Sequence, residues 1–164
     1  MNFKDIALLK YENIKGEFIE YRRSKTERTS KNNTLPIMVP LNTQLQNIIN
    51  RWGNQSKNRD SYIFSILDDG LTATEKYKKI KTFVNNTNKR VKKIGKELGT
   101  SLKVTSYVAR HCFATIQKNN NAPLAYISEA LGHANIKTTQ NYFGRFEDDS
   151  LKVFHSGLME GLVE

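Results

Sequence analysis

Helical spacing of the apolar residues runs through most of this chain, and two short stretches interrupt it. Beyond residue 41 the apolar positions recur every three or four residues, the period of an amphipathic helix. The extended runs "GEFIEYRR" and "LPIMVPL" flank the polar loop "SKTERTSKNNT". We therefore predict a β-hairpin of residues 17–23 and 36–40, with residues 11–14 as a candidate third strand.

Capping residues divide the helical part into segments. Asn42 caps a helix that ends at Gly53, Gly99 ends a basic helical region that begins at residues 71–74, and Gly132 ends a helix that Pro123 starts. Asn135 caps a further short helix. The spacing predicts which residues of these helices face inward: Leu45, Ile48, Ile49 and Trp52; Phe83, Val84, Val91, Ile94 and Leu98; Val108, Cys112 and Ile116; Leu124, Ile127 and Leu131; Ile136, Thr139 and Phe143.

The charge of the chain is strongly positive and unevenly distributed. The net charge of +10 suggests a polyanionic partner. Residues 76–103 hold ten basic residues and one acidic residue, whereas residues 145–164 hold two basic and five acidic residues, so we expect the partner to contact the middle of the chain. No window is apolar enough to span a membrane, and a single cysteine, Cys112, allows no internal disulfide, which fits a reducing cytoplasmic location.

Four residues are candidates for phosphodiester chemistry. Negative charge grows on a phosphodiester in the transition state, so a site without metal needs fixed cations and donors, for which Arg110 and His133 are candidates. A tyrosine hydroxyl, here that of Tyr142, forms a recoverable ester with phosphate once its proton is removed. Lys25, on the hairpin loop, could protonate the leaving sugar oxygen. The sequence contains no tight acidic cluster or His/Cys spacing typical of a metal site.

Three motifs resemble those of the tyrosine recombinase, or phage integrase, family. "YRRSKT" followed by "IMVPL" resembles the lysine hairpin of the family, "SYVARHCFAT" its His-x-x-Arg-His box, and "LGHANIKTTQNYF" its Leu-Gly-His segment leading to the nucleophilic tyrosine. The motifs occur in family order over nearly the whole chain. The resemblance implies a single catalytic domain over residues 1–164 that is mainly α with a small antiparallel β-sheet (α+β), and that lacks the family's N-terminal core-binding domain.

The same resemblance assigns roles to the candidate residues. It implies that DNA strands are broken and rejoined through a 3′-phosphotyrosyl intermediate at Tyr142, with no metal or other cofactor. Arg110 and His133 would bind the scissile phosphate, and Lys25 would protonate the 5′-oxygen. Tyr107 stands where the family has a histidine, and Asn2 stands where it has its first arginine. Integrases of Bacteroides-type mobile elements tolerate both changes, and the chain resembles that group.

The implied partners are double-stranded DNA and further recombinase protomers on the same DNA. We predict backbone-phosphate contacts from basic residues of the hairpin and of the middle helix: Arg22, Arg23, Arg28, Lys31, Lys89, Arg90, Lys92 and Lys93. In the tail, apolar residues recur at helical spacing, at Leu151, Phe154, Leu158 and Leu162. This stripe either packs on its own domain or docks, as a C-terminal helix, into a neighbouring protomer.

Two other functions fit parts of the sequence. A catalytically impaired DNA-binding domain of the same fold is favoured by Tyr107 and by the missing arginine, and a type IB topoisomerase-like relaxing enzyme would share the chemistry.

Three further residues are given structural roles. We predict that His111 is a buried hydrogen-bonding residue, that Cys112 lies in the core and that His155 lies on the surface.

Overall fold

A small antiparallel sheet forms the N-terminal part of the fold. The computed structural model describes residues 1–25, 36–100, 103–133 and 135–140. A first helix and a 3-10 turn precede three strands, and their bounds are α1 (Phe3–Leu8), the turn (Tyr11–Asn13), β1 (Ile14–Lys15), β2 (Phe18–Tyr21) and β3 (Ile37–Pro40). In the register Ile14 pairs with Ile19, and Tyr21 pairs with Ile37. The hairpin prediction is confirmed.

The candidate third strand begins later than the sequence pattern indicates. Residues 11–13 form the 3-10 turn because the Asn13 side chain accepts a hydrogen bond of 2.8 Å from the Lys10 backbone N–H. The same side chain donates to the carbonyl of Glu20 at 3.0 Å. Asn13 thus uses its polar groups to close the turn and to join it to β2, and strand pairing starts only at Ile14.

Five further helices are described, and the predicted caps define most of their ends. Their bounds are α2 (Thr43–Trp52), α3 (Ala73–Glu97), α4 (Val108–Asn119), α5 (Leu124–Ala130) and α6 (Ile136–Gln140). Asn42 accepts a hydrogen bond of 2.9 Å from Leu45 N–H, which caps α2 as predicted. Thr72 and Glu75 form a capping box at the start of α3, and Gly99, with φ of +69°, follows its end. No helix in the described ranges is long and apolar enough to cross a membrane.

The core consists of three neighbouring apolar clusters. The first packs the sheet against α2 and the segment around Ile63, the second packs α1 against α3, and the third joins α4 to α5. Their buried members are Leu9, Ile19, Tyr21, Ile37, Ile49 and Ile63; Ala7, Tyr62, Leu67 and Ile80; Ala114, Ile127 and Leu131. Helix α5 also contacts β3, so the third cluster lies against the hairpin.

The predicted inward face of α4 is wrong. Cys112 and His111 are exposed and Ile116 is 56% exposed, whereas Arg110 and Ala114 are buried. A hydropathy pattern favours an exposed arginine, but the Arg110 guanidinium finds hydrogen-bond partners inside the fold, and the buried face lies two positions away from the predicted one. The predictions of a buried His111 and a core Cys112 are therefore wrong as well.

Several other residues predicted to face inward lie on the surface of the described structure. Ile48 and Trp52 on α2, Ile94 and Leu98 near the end of α3, and Ile136 on α6 are each between 43% and 78% exposed. Ile49 in α2 and Thr139 in α6 are buried as predicted, and in α3 Ile80 fills the core position. These helices pack through a narrower stripe than the spacing suggests. Phe143 lies outside the described residues.

Candidate active site

The C-terminal end of α5 is the element on which the site is built. Gly132, with φ of +62°, donates to the carbonyl of Glu129, and His133 N–H donates to the carbonyl of Ser128 at 3.0 Å. These two bonds form a Schellman motif, which ends the helix and fixes the direction of the chain that follows. A Cβ at position 132 would lie 2.5 Å from Cδ1 of Ile37, so glycine is also needed for the close approach to β3.

Arg110 connects the first turn of α4 to this helix end. Its Nη2 donates hydrogen bonds to the carbonyl of Leu131 and, at 2.8 Å, to Nε2 of His133. Arg110 is only 9% exposed, and a buried cation needs such partners because burial deprives it of water. The negative end of the α5 dipole favours a cation at the same place. Two of the predicted catalytic residues are thus in direct contact.

His133 is held on both of its ring nitrogens. Nε2 faces Arg110, and Nδ1 lies 2.8 Å from Oγ1 of Thr139 on α6. Burial, followed by the positive charges of Arg110 and Arg23, lowers the pKa of His133 from 6.5 to about 4. The imidazole is therefore neutral near pH 7 in this structure.

Arg23 is a second cation in the site, and it lies closer to the Arg110–His133 pair than the sequence predicts. Its Nη1 donates to the carbonyl of Gly132 at 3.0 Å, and its charge acts on His133. We predicted it as one of several backbone-phosphate contacts. The structure instead places Arg23 beside the Arg110–His133 pair, between the end of β2 and the end of α5.

Asp5 is a buried acid that the sequence reasoning missed. Its side chain is on α1 and 3% exposed, and Oδ1 accepts a hydrogen bond of 3.0 Å from the Ser24 backbone N–H. Burial raises the pKa of Tyr21 to about 12; Asp5 adds to this effect and the two arginines oppose it, so all three charges lie near Tyr21. Asp5 therefore supplies a negative charge near two cations and joins α1 to the segment between Arg23 and Lys25.

A cleft of about 550 Å³ opens beside Arg110. Lys25 and Tyr107 are among its lining residues, so the cleft brings together three of the predicted catalytic residues. Tyr107 is the residue before α4 and is 54% exposed; its ring meets the ring of His111 edge-on at 5.0 Å. Asn2, which stands in the place of the family's first arginine, also lines the cleft, but its side-chain oxygen accepts from Asp5 N–H at 2.8 Å and caps α1.

Some predicted site residues cannot be placed. Tyr142, Arg28, Lys31, His155 and the apolar stripe of the tail lie outside the described residues. Other predicted DNA contacts, Arg22, Lys89, Arg90, Lys92 and Lys93, are exposed. Across the described ranges, no group of three or more His, Cys, Asp or Glu residues is placed to hold a metal ion.

The low pKa of His133 predicts how the stability of the domain depends on pH. Between pH 6.5 and about 4 the unfolded chain binds a proton at this histidine that the folded chain does not bind. The free energy of unfolding should therefore fall as the pH is lowered through this window. Urea denaturation at several pH values, on the wild type and on His133→Gln, measures the effect, and the variant should show a shallower fall. Equal slopes for the two proteins would contradict the burial of a neutral imidazole.

Comparison with known proteins gives the family. The model of the phage integrase family matches residues 3–147. The tyrosine recombinase XerA of Pyrococcus furiosus is 30% identical over 167 residues, covering 99% of this chain and 52% of that protein. The chain thus spans about half the length of this curated relative.

Two solved structures share the fold. A crystal structure of XerA recombinase superposes with a TM-score of 0.58 at 19% identity, over 95% of this chain and 52% of the other. The integrase of transposon Tn1549, in a complex with a circular intermediate DNA, gives a TM-score of 0.59 at 17% identity, over 95% and 54%. The mainly helical fold with a small antiparallel sheet is confirmed, and the chain belongs to the phage integrase family.

Proposed function

We propose that this chain is the catalytic part of a site-specific DNA recombinase that breaks and rejoins strands through a 3′-phosphotyrosyl intermediate at Tyr142. The observation that carries the proposal is the contact between Arg110 and His133, made beside a second arginine and next to a cleft that Lys25 lines. Cations and donors that converge on one place suit a phosphodiester, whose charge increases in the transition state. Double-stranded DNA is the substrate class, and the cytoplasm is the location that this substrate implies.

Each residue has one task in the proposed step. The Tyr142 oxygen attacks phosphorus and loses its proton to water, the bond from phosphorus to the 5′-oxygen breaks, and Lys25 gives a proton to that oxygen. Arg110 and His133 bind the non-bridging oxygens. Tyr107 can donate a hydrogen bond to the same phosphate, but it lacks the basic ring nitrogen of the histidine that the family has at this position.

Arg23 is proposed to take the place of the missing first arginine. The side chain of Asn2 is already used to cap α1. Arg23 follows the end of β2, and its guanidinium donates a hydrogen bond to the carbonyl of Gly132. An arginine in this position can bind phosphate oxygens in the plane of its fork, which a lysine cannot do. A first arginine supplied from another position is in keeping with the proposed resemblance to integrases of Bacteroides-type mobile elements, which tolerate its loss at the usual position.

The first prediction from the proposed function concerns the nucleophile. Tyr142→Phe should abolish covalent protein–DNA adducts on a nicked suicide substrate while leaving non-covalent DNA binding intact, because only the attacking oxygen is removed. Tyr77→Phe is the matched control, since Tyr77 is 65% exposed on α3 and should keep wild-type adduct formation. Adducts that persist in Tyr142→Phe would exclude Tyr142. A wild type that binds DNA without any adduct would support the impaired DNA-binding domain, and plasmid relaxation without recombination would support the topoisomerase-like enzyme.

The exposed lysines of α3 are proposed to bind DNA next to the cleft. Asn88 accepts a hydrogen bond of 2.8 Å from Ser106 N–H, which fixes this flank of α3 beside the residue before Tyr107. Lys81 and Lys92 are exposed and lie seven residues before and four residues after Asn88, on the same flank of the helix. Lys93 and Lys79 lie farther round the helix, within ion-pair distance of Glu97 and Asp68. We therefore expect Lys93 to contribute less than the sequence predicts.

The second prediction tests this division of the lysines. Replacing Lys81 and Lys92 with alanine should lower the slope of the logarithm of DNA affinity against the logarithm of salt concentration by about 2, because each phosphate contact releases counterions. The control variant, with Lys79 and Lys93 replaced by alanine, has the same net charge and should keep nearly the wild-type slope. Binding isotherms at several salt concentrations measure both. Equal slopes for the two variants would show that only the overall charge matters.

A further proposal concerns contacts between protomers. An apolar groove of about 560 Å³ runs between the hairpin and α2 on one side and α4 and α5 on the other, and its wall includes Met38, Ile48, Phe113 and Tyr126. Met38, Ile48 and Tyr126 are about half exposed. An amphipathic helix fits such a groove, and the apolar stripe of the tail supplies one from the same or a neighbouring protomer. We propose docking into the neighbour when several protomers share one DNA.

The third prediction distinguishes docking in trans from packing in cis. Deletion of residues 150–164 should reduce the pairing of two DNA sites and recombination more than it reduces cleavage of a single suicide substrate. Native gels with two sites and adduct yields with one site measure the two effects, and circular dichroism checks folding. A truncated domain that is unfolded, or that loses cleavage and pairing equally, would show that the tail is part of its own domain.

A further inference from the structure

Thr139 is the one residue of α6 that is buried in the described structure, and it is polar. Its side chain is fully buried (0% exposed), whereas Ile136 in the same helix is 43% exposed. A five-residue helix usually packs through an apolar side chain, because a buried hydroxyl without a partner costs free energy. The partner here is Nδ1 of His133, 2.8 Å from Oγ1 of Thr139. Burial of this threonine is therefore tied to the histidine.

The hydrogen bonds of His133 determine which ring nitrogen carries the proton. Arg110 Nη2 is 2.8 Å from Nε2, and a guanidinium has donors only, so Nε2 must be the acceptor. A neutral imidazole has one proton, which then resides on Nδ1 and is donated to Oγ1 of Thr139. A doubly protonated ring would place two donors against each other at Nε2, and the lowered pKa of His133 agrees with its neutral form.

We propose that Thr139 is a positioning residue that fixes the tautomer and the ring orientation of His133. The hydroxyl holds Nδ1–H, so Nε2 is the nitrogen that lies beside Arg110. As far as catalysis is concerned, this rests on the proposed function, since a phosphate bound at Arg110 would meet Nε2. Without the hydroxyl, the imidazole ring is free to rotate or to change tautomer. Nε2 is then no longer held beside Arg110, where the phosphate would bind.

Two substitutions at position 139 separate the hydroxyl from the shape of the side chain. Thr139→Val keeps the volume and removes the hydroxyl, whereas Thr139→Ser keeps the hydroxyl and removes a methyl group. The adjacent Thr138, which is exposed on the same helix, gives the matched control Thr138→Val. All variants are made in the full 164-residue chain.

The first measurement does not depend on activity. Imidazole ¹⁵N shifts of histidine-labelled protein near neutral pH distinguish the two tautomers, and the His133 signals are assigned by their loss in His133→Gln. Wild type, Thr138→Val and Thr139→Ser should show the Nδ1–H tautomer, and Thr139→Val should show the Nε2–H tautomer or a mixture. A wild type with the Nε2–H tautomer, or an unchanged tautomer in Thr139→Val, would overturn the proposal. If Thr139→Val does not fold, the wild-type and Thr139→Ser spectra decide in the same way.

The second measurement is the rate of covalent adduct formation on a nicked suicide substrate. Thr139→Val should be slower by about tenfold, the order expected when one orienting hydrogen bond is lost, and Thr139→Ser should recover to within about twofold of the wild type. Thr138→Val should match the wild type. If Thr139→Ser is as slow as Thr139→Val, the methyl group and not the hydroxyl matters, and the positioning role is overturned. If the wild type forms no adduct, the proposed function fails, while the ¹⁵N spectra still decide whether Thr139 sets the tautomer.

Discussion

The hydrogen bonds from Arg110 to the end of α5 and to His133 are the interaction on which the site depends. Arg110 is 9% exposed, so its guanidinium loses most of its hydration and needs acceptors inside the fold. The carbonyl of Leu131 and Nε2 of His133 supply two of them, at the negative end of a helix dipole. Because these acceptors exist only when α5 ends in its Schellman motif, the fold of "LGH" and the placement of Arg110 require each other.

Caps and turns could be predicted from the sequence, and the face of a helix with a buried charge could not. Asn42, Gly99 and Gly132 act within a few residues of chain, so their types alone indicate where helices begin or end. The orientation of α4 depends on Arg110, whose partners come from more than 20 residues later in the chain. Apolar periodicity assigned Cys112 and Ile116 to the core, and it carries no information about the acceptors that another helix supplies to Arg110.

Which residues form the candidate site could also be predicted only in part, because motifs are local in the sequence whereas the contacts of the site are not. Arg110, His133, Lys25 and Tyr107 were proposed from motifs, but the contact of Arg110 with His133 and the cleft that Arg110 shares with Lys25 and Tyr107 depend on the packing of elements that are distant in sequence. Asp5 was missed and Arg23 was predicted only as a backbone-phosphate contact, because an acid in a first helical turn and an arginine in a basic run are both ordinary surface features. Their roles become visible only when the fold buries Asp5 near two arginines.

The charges around His133 suit the arrival of one phosphodiester. Arg110 and Arg23 are cations, Asp5 is the nearby acid, and Lys25 adds a positive charge at the adjoining cleft, so the described groups leave an excess of positive charge that suits a phosphodiester. In the free site the same excess, added to burial, keeps His133 neutral. A bound phosphate reverses the sign of the nearest charge and so raises the pKa of His133. Once Arg110 donates to the phosphate instead of to Nε2, the histidine would gain a proton on Nε2 and could donate it to the same phosphate, while Thr139 still accepts from Nδ1–H.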